Sequence, residues 1–249
     1  MSNGFVKLAL VETRLFLRDK LALIGVFGFP VGLVIGFSQI PGFGKPQASL
    51  GGEPGTEYVA ALGVAICLAA IALQGLPAVI AQYRERGILR RLGVTPVRPL
   101  TLLTAKLSVW VAVAVVSTAI VVVVSRLAFH VPLPTEPGWF MVSLAFAIAS
   151  LIALGMLVTA VSPTVRGAGG LGMVLWFANM FLAGVWVPAS QMSPGLRKIG
   201  NLTPLGSALH ALRDSWQGID PRLEYLGIMA AWAMIAGGLA ARFFRWDKV

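Results

Sequence analysis

Six stretches of this 249-residue chain run for about twenty residues almost without ionisable side chains, and that is the length a helix needs to cross a hydrocarbon core about 30 Å thick. They are approximately Leu21–Ile40, Val59–Ala81, Leu102–Val124, Trp139–Val161, Gly169–Val187 and Tyr225–Ala241. Lys106 sits in the first turn of the third and Glu224 just before the sixth. Hydrophobic residues make up 57% of the chain before its 28 glycines are counted, and only 12% is charged, about half the usual share. That leaves too little polar surface to dissolve a domain of this length. The expected fold is an all-α polytopic membrane protein with six transmembrane helices in one domain over residues 1–249. The first stretch is too long for the apolar region of a cleaved signal and has no small-x-small site at its end, so it reads as a retained anchor.

The net charge of +10 could point to nucleic acid, but the placement of the charges points elsewhere. Four Lys and Arg precede the first stretch, six lie between Arg84 and Lys106, one (Arg166) separates the fourth from the fifth, and three follow the sixth. That is 14 on one side against 6 on the other, so the positive-inside rule puts both termini in the cytoplasm and leaves no nucleic-acid partner to expect. Trp139, Trp186 and Trp216 then fall near the outer interface, where amphipathic rings prefer to sit. The excess of Arg over Lys, 14 to 6, suggests a bacterial source and hence the plasma (inner) membrane.

Much chemistry is excluded. Cys67 stands alone, so no disulfide forms within one chain and no metal-ligand spacing exists. His130 and His210 have no nucleophile or carboxylate at a motif spacing, and no phosphate-binding loop occurs, so the chain reads as non-catalytic. Proton relays and ion-coupled carriers need titratable groups at membrane depth, and these spans offer almost none. Gln74 and Asn179 are the polar residues best suited to line a path. On the fifth stretch Met173, Trp176, Asn179 and Met180 form a bulky, polarisable surface that suits an amphipathic substrate, although ordinary helix packing explains it as well. Gly28, Gly32 and Gly36 form a smooth strip on the first stretch, suited to close approach of another backbone in the same or a second chain.

The most informative segment is Gln82-Tyr-Arg-Glu-Arg-Gly-Ile-Leu-Arg-Arg-Leu-Gly-Val-Thr-Pro96. Ile88, Leu89 and Leu92 share one helical face while Arg84, Arg86, Arg90 and Arg91 spread over the rest. Such a helix between two spans either fills the membrane surface or plugs a groove in a partner. Before the first span, Phe5, Leu8, Glu12, Leu15 and Phe16 lie near one face, with Lys7, Arg14 and Arg18 largely off it.

The segment after the second span resembles the first cytoplasmic loop of type 2 ABC exporter permeases, which carries E-R-E-x-G-x-x-x-x-L-x-x-x-P. Arg84, Glu85, Gly87, Leu92 and Pro96 match, and Tyr83 stands where the first Glu would be. Pro188 and the run Asn201-Leu-Thr-Pro-Leu-Gly-Ser-Ala-Leu-His-Ala-Leu-Arg213 resemble the family's signature before its last span, with Thr203 intervening before Pro204. The resemblance implies an N-terminal interface helix over 1–20 on the inner leaflet, in contact with membrane lipids, a coupling helix over 83–95, and short outer re-entrant helices over 188–222. It further implies a homodimer or heterodimer of permeases with two copies of a separate ATP-binding subunit. No cofactor is expected on this chain, ATP and Mg being held by that partner. Arg84, Glu85, Arg86, Gly87, Leu89 and Leu92 would then couple to the ATPase, and the strip Gly28, Gly32 and Gly36 would face the dimer partner. Gln74, Met173, Trp176, Asn179 and Met180 would line the substrate path, with Pro188, Pro204 and Arg213 at the outer gate. The expected function is export of a hydrophobic or amphipathic, drug- or lipid-like substrate. An ATP-independent channel and a glycan-exporting permease are the alternatives.

Overall fold

The computed structural model describes residues 2–39, 45–47, 53–87, 99–187 and 191–244. Leu89, Leu92 and the rest of the expected coupling helix beyond Gly87 lie outside the described residues, as does Pro188. The chain opens with α1 (Ser2–Arg18) and α2 (Lys20–Leu23), which runs through a π-helical turn, Ile24–Gly28, into α3 (Phe29–Ser38). A two-residue hairpin follows, β1 (Pro46–Gln47) antiparallel to β2 (Glu53–Pro54). The second apolar stretch is α4 (Gly55–Ala70), a π-helical turn Ile71–Gly75, and α5 (Leu76–Glu85). Then come α6 (Pro99–Phe129), α7 (Pro137–Val161), α8 (Val165–Leu182), α9 (Pro194–Asn201), α10 (Pro204–Trp216) and α11 (Leu223–Phe243).

Among the described residues five helices are long and apolar enough to cross a membrane: Gly55–Glu85, Thr101–Phe129, Pro137–Val161, Val165–Leu182 and Leu223–Phe243. Where a first span was expected, the apolar stretch Ile24–Gly36 lies within one continuous helix over residues 20–38. At 1.5 Å per residue that helix is about 28 Å long, close to the hydrocarbon core. The fifth span begins four residues before the apolar stretch itself. Thr164 caps it, its hydroxyl accepting from the Gly167 amide at 3.0 Å, and the chain turns away at Gly184, whose φ is 84°.

The second span is the axis of the bundle, with 83% of its apolar window buried against 22% for the last span. Both π-helical turns have the same cause. A proline inside a helix has no N–H for the carbonyl four residues back and crowds it. Pro77 therefore leaves the Leu73 carbonyl without its helical donor and Pro30 does the same to Val26; the chain shifts to i→i−5 bonding, Leu76 N–H to Ile71 O and Phe29 N–H to Ile24 O. The freed Val26 carbonyl accepts instead from the Cys67 thiol at 3.5 Å. Around the second π-turn two helices approach to backbone contact: a β-carbon on Gly155 of α7 would overlap the Ala72 carbonyl oxygen, and one on Gly172 of α8 the Leu73 carbonyl oxygen. Glycine is required at both places. At the end of the bundle away from the elbow, the turn into the arginine-rich segment at Arg86 and Gly87, α10 is largely buried, with Leu205, Leu212 and Trp216 in the core. Its first turn is set by Thr203, whose hydroxyl accepts from Gly206 N at 3.0 Å, and by Pro204, buried at the start of the helix, where no N–H is missed.

Candidate functional site

The second span ends at a hub. Arg86 N–H returns to Gln82 O at 3.0 Å, and Gly87, in the left-handed region with φ 67°, donates to Arg84 O at 3.0 Å, which closes the helix. Just before that stop, three consecutive side chains leave the helix about 100° apart and reach three different parts of the bundle. Tyr83 donates its hydroxyl to both carboxylate oxygens of Glu12 on α1, at 2.8 and 2.9 Å. Lys106 of α6 pairs with the same carboxylate and lies 3.3 Å from the Tyr83 hydroxyl. Glu12 is 3% exposed and Lys106 7%, so this is a buried ion pair completed by a phenol.

Arg84, also buried, turns the other way. Its Nη1 donates to Thr159 O at 3.2 Å and Ser162 O at 3.0 Å, the carbonyls that end α7, and its guanidinium lies 5.1 Å from the centroid of the Phe244 ring. Helix C-termini carry partial negative charge, which suits a guanidinium. Glu85 does the converse at the next helix: Oε1 accepts from Val165 N, the first amide of α8, at 2.7 Å. A cation thus holds the negative end of α7 and an anion the positive end of α8, from adjacent positions on one turn. Arg84 and Glu85, expected to face an ATPase, both bond within their own chain; Arg86 is exposed and Gly87 forms the turn.

Above the hub lies a cavity of about 770 Å³, between α1, the first apolar helix, the second span, α6 and Trp176 of α8. This is within the range of small-molecule sites, about 300–1,000 Å³. Two aromatic pairs contribute to its walls, Phe16 with Trp110 at 5.7 Å and Phe29 with Trp176 at 6.3 Å between ring centroids. Both π-helical turns open onto it, through Gly25 and Val26 on one side and Gln74 and Gly75 on the other. Gln82, Arg86 and Lys106 line its end beside the hub, and the rest of the wall is largely apolar, with Phe16, Phe29, Trp110 and Trp176 among aliphatic and small residues.

Of the expected path residues, Gln74 and Trp176 meet on this cavity. Asn179 and Met180 are packed inside the bundle, Asn179 donating to Leu175 O at 2.9 Å, and Met173 is 51% exposed. The strip Gly28, Gly32 and Gly36 borders no other helix among the described residues. A β-carbon at Gly32 or Gly36 would meet nothing within 4 Å, and at Gly28 only the chain's own Ile24. Arg213 lies over the Tyr58 ring at 5.5 Å, and Pro204 starts α10. Sequence reasoning missed the Glu12–Tyr83–Lys106 cluster. Its signal was present as two charges out of place: an acid on the apolar face of α1 and a lysine within the first turns of an apolar span.

An all-helical bundle with several membrane-length helices and an arginine-rich elbow after the second defines a polytopic membrane protein. The ABC-2 type transporter family pattern matches residues 5–216, and the chain belongs to that family. Members are the transmembrane components of ABC transporters and normally pair with an ATP-binding subunit. No curated protein matches the sequence.

Proposed function

We propose that the chain is the permease subunit of an ATP-driven exporter that moves a hydrophobic or amphipathic substrate out of the cell. Both termini and the elbow face the cytoplasm of a bacterial plasma membrane, and the helix over residues 20–38 makes the sixth crossing. Two copies of a separate subunit bind ATP and Mg, and each is docked by Arg86, Gly87, Leu89 and Leu92 of one elbow. A second permease, identical or related, packs on the glycine strip, and α9 and α10, with Pro188, Pro204 and Arg213, form the outer gate.

The observation that carries the substrate class is the cavity itself. Aromatic walls accept apolar bodies of varied shape, while Gln74 and the polar end near Arg86 orient a head group. An exporter built this way shows ATP hydrolysis in its purified complex that rises with amphipathic compounds, and Trp176→Ala weakens that stimulation while leaving the ATPase bound. Leu92→Asp is expected to abolish copurification of the ATPase; unchanged copurification contradicts the docking assignment, and transport by the chain without any ATPase indicates a channel.

A further inference from the structure

We infer that Tyr83, Arg84 and Glu85 are not docking residues but positioning residues that distribute movement of the elbow to the bundle, with Glu85 steering α8. The inference rests on the exporter reading above and goes beyond it by separating the residues that bind the ATPase from those that pass its displacement inward. Any shift of the elbow root carries three anchors with it. Tyr83 takes α1 and α6 through Glu12 and Lys106, Arg84 takes the end of α7, and Glu85 takes the start of α8. The turn between α7 and α8 is short, Ser162 to Thr164, so the Arg84 and Glu85 bonds grip both sides of one hinge. Movement there reaches the cavity, because α8 carries Trp176, while the Gly172 contact with the Leu73 carbonyl keeps α8 against the second span.

A docking role and a positioning role for Glu85 differ in what the carboxylate must supply. Docking by charge fails equally in Glu85→Ala and Glu85→Gln. Capping of Val165 N needs only an acceptor, which the Gln amide oxygen retains. The test uses the full chain in complex with its ATPase in lipid nanodiscs, with Cys67→Ala and an environment-sensitive fluorophore on Val174→Cys, an exposed position of α8. The expected results are a nucleotide-dependent fluorescence change in the parent, retained in Glu85→Gln and reduced about five-fold in Glu85→Ala, the weight of one helix-cap hydrogen bond. The ATPase copurifies at parental yield in all three. Arg84→Lys keeps the charge but loses the reach by which Nη1 alone serves both carbonyls and the planar guanidinium beside the Phe244 ring, and is expected to show the same selective loss. Loss of the ATPase from Glu85→Ala, or an undiminished response in both Glu85→Ala and Arg84→Lys, overturns the inference. A parent chain that brings down no ATPase defeats the exporter reading instead, and does so before any variant is made.

Discussion

Replacing Glu12 with leucine should cost this protein far more than one surface charge. Glu12 and Lys106 are both nearly excluded from solvent, and the Tyr83 hydroxyl donates to both oxygens of the carboxylate. Removing one partner of a buried pair strands the other in a low-dielectric site, which costs about 3–5 kcal/mol. For a chain of this size each kcal/mol moves the melting temperature by about 2–4 °C, so Glu12→Leu should lower it by roughly 6–20 °C. Lys106→Met should do the same. The double variant Glu12→Leu/Lys106→Met leaves no orphan charge and replaces the pair with apolar volume, so it should melt close to the parent or above it. Intrinsic tryptophan fluorescence reads the transition, with Trp110 one turn from Lys106 on α6. A Glu12→Leu variant within about 1 kcal/mol of the parent, or a double variant whose loss equals the sum of the singles, would refute the buried pair.

Other expectations follow from the same geometry. Tyr83→Phe removes a hydrogen bond to a charged acceptor and should destabilise by about 1.5–3 kcal/mol in the same melting assay. Gly172→Leu must push α8 off the second span and should lower folded yield in detergent, whereas Gly170→Leu, where a β-carbon meets nothing within 4 Å, should not. Gly32→Leu should weaken dimers before it unfolds protomers, as read by cross-linking in the membrane; intact dimers reject the glycine strip as the dimer surface. Cys67, fully buried with its thiol turned to Val26 O, should resist maleimide until the protein is denatured.

The spans after the first were legible because hydrophobic length is a local property: the fourth apolar stretch ends at Val161 in both sequence and structure. The first apolar stretch is likewise one continuous helix, residues 20–38, although its π-helical turn was not anticipated. The π-helical turns could have been anticipated from Pro30 and Pro77, each inside an apolar run, but not the carbonyl contacts of Gly155 and Gly172, which depend on which helices meet. The elbow was legible as a motif. Its partners were not, because Tyr83 and Glu12 lie 71 residues apart and Glu85 and Val165 lie 80 apart. The motif pointed Arg84 and Glu85 to an ATPase and carried no sign of their bonds within the chain, Arg84 to the carbonyls that end α7 and Glu85 to the first amide of α8.

The central claim is tested most directly by isolating the tagged chain from its native membrane, identifying what accompanies it and assaying the complex for ATP hydrolysis. The account predicts a stoichiometric P-loop ATPase whose activity rises with amphipathic compounds; a folded, oligomeric chain that brings down no ATPase contradicts it.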